Sequence, residues 1–259
     1  MQEHPVSRRS MVVQNRVLAC MDPGAFDRLR SHLTAVVLQR RDVLQEHNRP
    51  IDYVYFIERG VASLFARTRR DGPVEVAMVG RLGFVGVAVV LGTMRSPNRA
   101  LMGVPGEALR IASHELRRAM DDCPGIRNRL LTYVHALLIQ NTQTALCNAR
   151  HEIEERLCRW LLLASDRLDE HVIPLTHEML SMILGVRRAG VTETLSHLER
   201  VGAVKKARGA IEIVDRAILE QRTCECYRII TSEYRHLINS GQHEHIIELG
   251  SRALDRVKR

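Results

Sequence analysis

Glycine and proline are spread so unevenly that they divide the chain before any other signal is weighed. Eight of the sixteen glycines lie between Gly60 and Gly106, together with Pro73, Pro97 and Pro105, whereas residues 126–173 contain neither. Between the early breakers lie short β-prone runs: Tyr53–Ile57, Val61–Phe65, Val74–Val79 and Leu109–Ile111. Short strands punctuated by turn residues indicate an all-β sandwich, roll or barrel. Arg70-Asp71-Gly72 reads as a hairpin turn. A β domain is therefore expected over 22–112, after an N-terminal lead of residues 1–21.

The unbroken stretch has a different texture. Leu131, Val134, Leu138, Asn141, Ala145 and Asn148 alternate three and four apart, the spacing of a helix seam. One helix from 126 to 168 would run about 65 Å at about 1.5 Å per residue. That is too long for a small core, so a break is expected near 148–151. A narrow stripe suits a partner helix, which makes 113–148 a dimerisation helix with Leu131, Val134, Leu138, Asn141 and Ala145 at the interface. The polar Asn141 would fix register there. The competing reading is a helix buried against its own β domain.

Residues 149–216 form a third unit. Pro174 ends the preceding segment, and Thr176 is a good N-cap for a helix over 177–184. Gly185 interrupts, a second helix is expected from about Arg187 to Val201, and Gly202 closes it. Leu180 and Leu184 face inward from the first helix, small Ser181 lets the second approach, Val186 plugs the turn, and Val191, Leu195 and Leu198 face inward from the second. Two short helices crossing steeply over such a core make a helix-turn-helix. Two strands around Gly209 follow, at Val204–Lys206 and Ile211–Val214, and 217–259 reads as a polar, helical C-terminal extension.

Charge points to the partner. The net charge is +8, from 38 basic against 30 acidic residues, which by itself decides little. Between 186 and 210, however, there are six basic residues (187, 188, 200, 205, 206, 208) and two acidic ones (193, 199), a local excess of four. Arg187 and Arg188 open the second helix, where cations can enter a major groove. Lys205, Lys206 and Arg208 would form a wing on phosphates. Aromatic residues are only 4%, which disfavours a single-strand binder built on stacked bases and favours duplex DNA. The different-class alternative is a protein-interaction module with a basic face.

The order of β domain, long helix and winged helix-turn-helix resembles the Crp/Fnr family of bacterial transcription regulators over roughly residues 22–230, most strongly from Leu175 to Glu199 and the wing. The resemblance implies an α+β architecture: an N-terminal double-stranded β roll of the cyclic-nucleotide-binding kind, a dimerisation helix and a C-terminal winged helix-turn-helix. It implies a cytoplasmic homodimer on palindromic DNA, with RNA polymerase as a further partner. By position, Thr176 and Arg187 would touch phosphates and Arg188 would read a base. Ala189 stands where the family usually has glutamate, Glu193 where it has a second arginine, and Arg187 where it has a serine cap. The half-site is therefore expected to differ from that of the catabolite activator. Thr192 and His197 complete the groove-facing set.

The sensor end departs further. Family members that bind cyclic AMP carry Gly-Glu-Leu-Gly and Arg-Ser/Thr-Ala stretches. Here these positions read Gly86-Val87-Ala88-Val89 and Asn98-Arg99-Ala100. Without the carboxylate and with the arginine displaced, a cyclic nucleotide loses its charge-assisted bonds. Cyclic AMP is not expected, and any effector would lie at Gly83, Gly86, Val87, Asn98, Arg99 and Ala100. The glycines, with Gly80, read more simply as turn residues, and a degenerate roll with no ligand is the runner-up.

No cofactor is expected. Only Cys20 lies near the N-terminus, so the cysteine cluster of iron–sulfur members is missing, and there is no Cys-x-x-Cys-His for haem. The six cysteines do not suggest a disulfide scaffold. Cys224-Glu225-Cys226 reads as a thiol pair without further ligands, so no metal site is expected. The His-Glu pairs at 114, 151 and 177 lack a second histidine four residues on, and no phosphate loop or serine elbow occurs, so the chain is not read as an enzyme. The histidines, including His243 and His245, read as surface residues. The longest apolar run, Val85–Leu91, is too short for a membrane span.

Overall fold

The structure is a computed structural model that describes residues 9–70, 72–238, 245–249 and 255–256. Strand β1 (Arg9–Val12) and helices α1 (Arg16–Ala19) and α2 (Pro23–Arg30) precede β2 (Thr34–Leu38), β3 (Val43–Gln45), β4 (Tyr53–Ala66), β5 (Val74–Val79), β6 (Phe84–Val85), α3 (Val87–Val90) and β7 (Arg99–Ala112). Then come α4 (Ser113–Asp122), α5 (Pro124–Arg150), α6 (Ile153–Leu168), β8 (Val172–Ile173), α7 (His177–Leu184), α8 (Arg188–Arg200), β9 (Val204–Ala207) and β10 (Ala210–Ile213). The chain continues through α9 (Arg216–Arg222), α10 (Cys226–Ile238), β11 (Ile246–Leu249) and β12 (Asp255–Arg256).

The main sheet runs β12-β2-β7-β4-β5, with β3 on β7 and β6 on β4. The runs at 53–57 and 61–65 are one strand, not two. Gly60 lies inside β4 at φ +85°, and a Cβ there would stand 2.6 Å from the Val104 carbonyl oxygen. The β4–β7 register slips on both sides of Arg59. This bulge bends two long paired strands without ending them, which lets the sheet curl into a roll. The turn expected at Arg70-Asp71-Gly72 includes Asp71, which lies outside the described residues.

The first helical segment is two helices, α4 and α5, parted at Cys123 before Pro124. The later break falls where expected: α5 ends at Arg150 and α6 starts at Ile153 behind a capping box of Glu152 and Glu155. One face of α5 packs on the roll through Ile126, Leu130, Tyr133 and Leu137, all buried. Its opposite face exposes Leu131, Leu138 and Ala145, with Leu138 61% accessible. The expected seam is corrected at two positions. Val134 is half-buried against the core, and Asn141 turns inward, its amide NH2 reaching the carbonyls of Val76 (3.0 Å) and Leu137 (3.3 Å). Asn141 thus serves the chain's own β5 and cannot set register with a partner. The helix carries an inward stripe and an exposed apolar stripe, and the seam read from spacing mixed them.

The chain ends also depart from expectation. Asn15 is fully buried, donating to the carbonyls of Ile57 (2.9 Å) and Gly83 (2.7 Å) and capping α1 through its side-chain oxygen. Residues 13–21 of the lead are therefore part of the core. Among the described residues of the extension, helix extends only as far as α10. Beyond it, β11 pairs antiparallel with β1, and β12 adds parallel to β2. His245 is not a surface residue: its ring stacks on Phe26 at 3.9 Å, and Nε2 lies 3.1 Å from the Met21 carbonyl oxygen. His243 lies outside the described residues.

Candidate nucleic-acid interface

The helix-turn-helix is built by its caps and its small core. The Thr176 hydroxyl oxygen accepts from Met179 N at 3.2 Å, starting α7. Gly185 adopts φ +64°, the left-handed turn that a side chain would strain. Leu180, Ile183 and Leu184 of α7 bury against Val191, Leu195 and Leu198 of α8. Arg187 caps α8 with extended backbone and no side-chain bond, its carbonyl accepting from Gly190 N at 3.0 Å.

Arg187, Arg188, Ala189, Thr192 and Glu193 are exposed on this start of α8. Arg188 and Thr192 share one flank, where the Thr192 hydroxyl donates to the Arg188 carbonyl (3.0 Å) and lies 3.1 Å from His177 Nδ1. Burial, with Lys206 and Arg188 beside it, pushes the His177 pKa below its usual range. That local positive field attracts phosphates. In the wing, β9 pairs with β10 around Gly209; Arg208 is exposed at its tip, and Lys205 is exposed on β9 opposite Glu212. Lys206 is engaged: Nζ lies 2.9 Å from Glu199 Oε2 and from Ser196 Oγ.

His197 leaves the groove-facing set. It lies about 140° around α8 from Thr192, five residues at about 100° each. Its Nε2 is 3.6 Å from Glu154 and 3.4 Å from Arg222, which itself pairs with Glu154 at 2.7 Å. It therefore fastens α8 to α6 and α9.

The expected effector positions do not form one cavity-facing set. Gly83 and Gly86 sit at the β6 end, Gly83 under the Tyr133 ring and Gly86 against Val54, and Val87 is half-buried at the start of α3. Ala100 is buried opposite Leu64, and Arg99 pairs with Glu46 at 3.1 Å. The Asn98 carbonyl accepts from Gln45 at 2.8 Å. The two groups lie at opposite ends of β4. Sequence reasoning did not foresee a groove of about 750 Å³ between the roll and α7, lined by Arg40, Arg41 and Arg99 with Thr176, Glu178 and Met182.

The two halves are tied together. Arg40 donates to the Pro174 carbonyl at 2.6 Å, and Trp160 Nε1 to Glu75 Oε1 at 2.8 Å.

Residues 155–222 match the Crp-like helix-turn-helix domain family. The chain carries a Crp-like helix-turn-helix domain on the Crp/Fnr fold. Solved structures carry the likeness through the roll. A Crp/Fnr-family transcriptional regulator of Eubacterium rectale superposes with a TM-score of 0.62 at 14% identity, covering 78% of this chain and 94% of that one. FixK2 of Bradyrhizobium japonicum does so with 0.62 at 17%, covering 74% and 98%. A Crp/Fnr regulator of Thermus thermophilus gives 0.61 at 21%, covering 73% and 97%. No curated protein matches the sequence. No helix among the described residues is long and apolar enough to cross a membrane. Crp-like domains are DNA-binding modules of transcription regulators, not enzymes.

Proposed function

We propose that the protein is a cytoplasmic, homodimeric transcription regulator that reads a palindromic duplex site through α8 and works with RNA polymerase. The observation that carries this reading is the start of α8. Arg187, Arg188 and Thr192 stand exposed at the start of α8, uncommitted to the core, beside the Lys205–Arg208 wing. In a two-fold dimer on the outer stripe of α5, paired α8 helices would enter successive major grooves about 34 Å apart.

Within this reading Arg188 reads a base and Lys205 touches a phosphate. Arg188→Ala should cost about 1–3 kcal/mol and relax preference at one base position per half-site. Lys205→Ala should lower the salt slope of binding by about one unit and leave the consensus unchanged. Titrations on specific and random duplexes at several salt concentrations separate the two. Equal loss for Arg188→Ala on both duplexes would remove its base-reading role.

The signal at the roll is proposed to be something other than cyclic AMP. Neither Gly86–Val89 nor the Glu46-paired Arg99 offers the bonds a cyclic phosphate needs. A degenerate roll is favoured by Tyr133 filling the space over Gly83. Thermal midpoints measured with cyclic AMP and cyclic GMP should not move. A rise that follows ligand concentration would overturn this part.

A further inference from the structure

Four metal-ligating side chains distant in sequence meet where the end of α5 touches the turn between α9 and α10. Cys147 lies in the last turn of α5 and His151 directly follows that helix, while Cys224 precedes α10 and Cys226 begins it. Their ligand atoms all lie within 4.8 Å of one another. The earlier reading of Cys224 and Cys226 as a pair without further ligands is thereby corrected. Nothing in the sequence joined them to Cys147-x-x-x-His151, more than seventy residues away, and only the packing of α10 on α5 brings them together.

The spacing suits one ion. Bonds of about 2.3 Å to sulfur and about 2.0–2.1 Å to nitrogen give tetrahedral edges of about 3.8 Å between sulfurs and about 3.5 Å between sulfur and nitrogen. The Cys147 and Cys224 sulfurs are 3.5 Å apart, and the Cys226 sulfur is 3.7 Å from His151 Nδ1. A disulfide needs about 2.05 Å, and the cysteines are free. An iron–sulfur cluster spreads its thiolates over several irons, whereas these four atoms lie within 4.8 Å of one another, close enough to share one ion.

The surroundings suit it as well. The three cysteines are buried. Three thiolates and a neutral imidazole around a divalent ion leave a net negative charge, which a buried position tolerates only beside a cation. Arg159 is buried with its guanidinium against the Cys147 sulfur, and the Nε atoms of Arg156 and Arg159 are buried with no partner.

We propose that Cys147, His151, Cys224 and Cys226 form a structural zinc site that clamps the end of α5 to the helix behind the wing. Three sulfurs and one nitrogen in a tetrahedron select zinc among common divalent ions, and a set of four protein ligands leaves no open position for catalysis. Binding releases the thiol protons to solvent.

The test uses the full chain purified under reducing conditions from zinc-containing medium and dialysed against a chelator, with metal content read by elemental analysis. About one zinc per chain should remain. Cobalt exchanged into the same protein should give the intense visible bands of a tetrahedral ion and a thiolate charge-transfer band. His151→Ala and Cys226→Ser should each retain zinc at least about tenfold more weakly, and Cys123→Ser, at the other end of α5, should retain it fully. The cobalt spectrum is read on the unaltered chain, so misfolding of a variant does not blur the result. Absence of both zinc and the tetrahedral spectrum overturns the proposal. So does full zinc retention in the His151→Ala/Cys226→Ser double variant.

Discussion

Leu138→Glu is expected to turn the protein into a monomer and to weaken its binding to a full palindromic site by about a hundredfold or more. In a single chain Leu138 is 61% accessible and supports almost nothing, so the fold should be unharmed. In a dimer it lies at the centre of the outer α5 stripe, seven residues from Leu131 and from Ala145. Burying a leucine there contributes about 1.5–3 kcal/mol per subunit, and a carboxylate in its place is left desolvated without a partner. Joining two half-site readers raises affinity by roughly 10²–10⁴, all of which a monomer forgoes. Sedimentation, a thermal melt and a DNA titration on the same sample check it. A dimer that persists with full affinity would move the interface off this stripe.

Raising the pH from 5 to 8 should lower stability by several kcal/mol. Two carboxyls hidden by folding, Glu58 and Glu75, are pushed up from the ordinary carboxylate value to about 7, in both cases chiefly by burial. Backbone bonds from Gln14 and Asn15 only partly offset this at Glu58, as do Ser63, Trp160, Arg159 and Arg167 at Glu75. The unfolded chain ionises both near pH 4.5, while the folded chain keeps its protons until about 7. Between these values the folded state binds more protons, so stability falls as pH rises and levels off above 7, by roughly 3 kcal/mol for each group. Denaturant melts across this range measure it. Glu75→Gln, which keeps an acceptor for Trp160, should remove about half of the slope. Trp160 is the single tryptophan, so its emission should titrate near pH 7 in the parent chain and stay flat in Glu75→Gln. A pH-independent melt would show that neither carboxyl is protonated in the fold.

Punctuation made the helix-turn-helix legible. Thr176, Gly185 and Gly202 are local caps and stops, so α7 begins and ends where they place it, and α8 lies within one residue at either end. The β roll was legible as a class, because glycine-rich spacing specifies turns whatever the partners of the strands. What could not be read were features that depend on distant neighbours. Gly60 looked like a strand end because a bulge and a turn share the same residue. Asn141 looked like a register residue because spacing does not show which side of a helix meets β5. His197 looked groove-facing because Glu154 and Arg222 are remote in sequence. The Cys147, His151, Cys224 and Cys226 cluster and the β1–β11 pairing are long-range contacts with no local signature.

The most direct test of the regulator reading is a selection from random duplex DNA with the purified full chain at near-physiological salt. An enriched inverted repeat, its half-site centres one helical turn apart and its consensus relaxed at one position per half-site by Arg188→Ala, is the expected result. Binding that follows salt alone, with no enriched repeat from either the bare chain or the chain supplemented with cell extract, would contradict it.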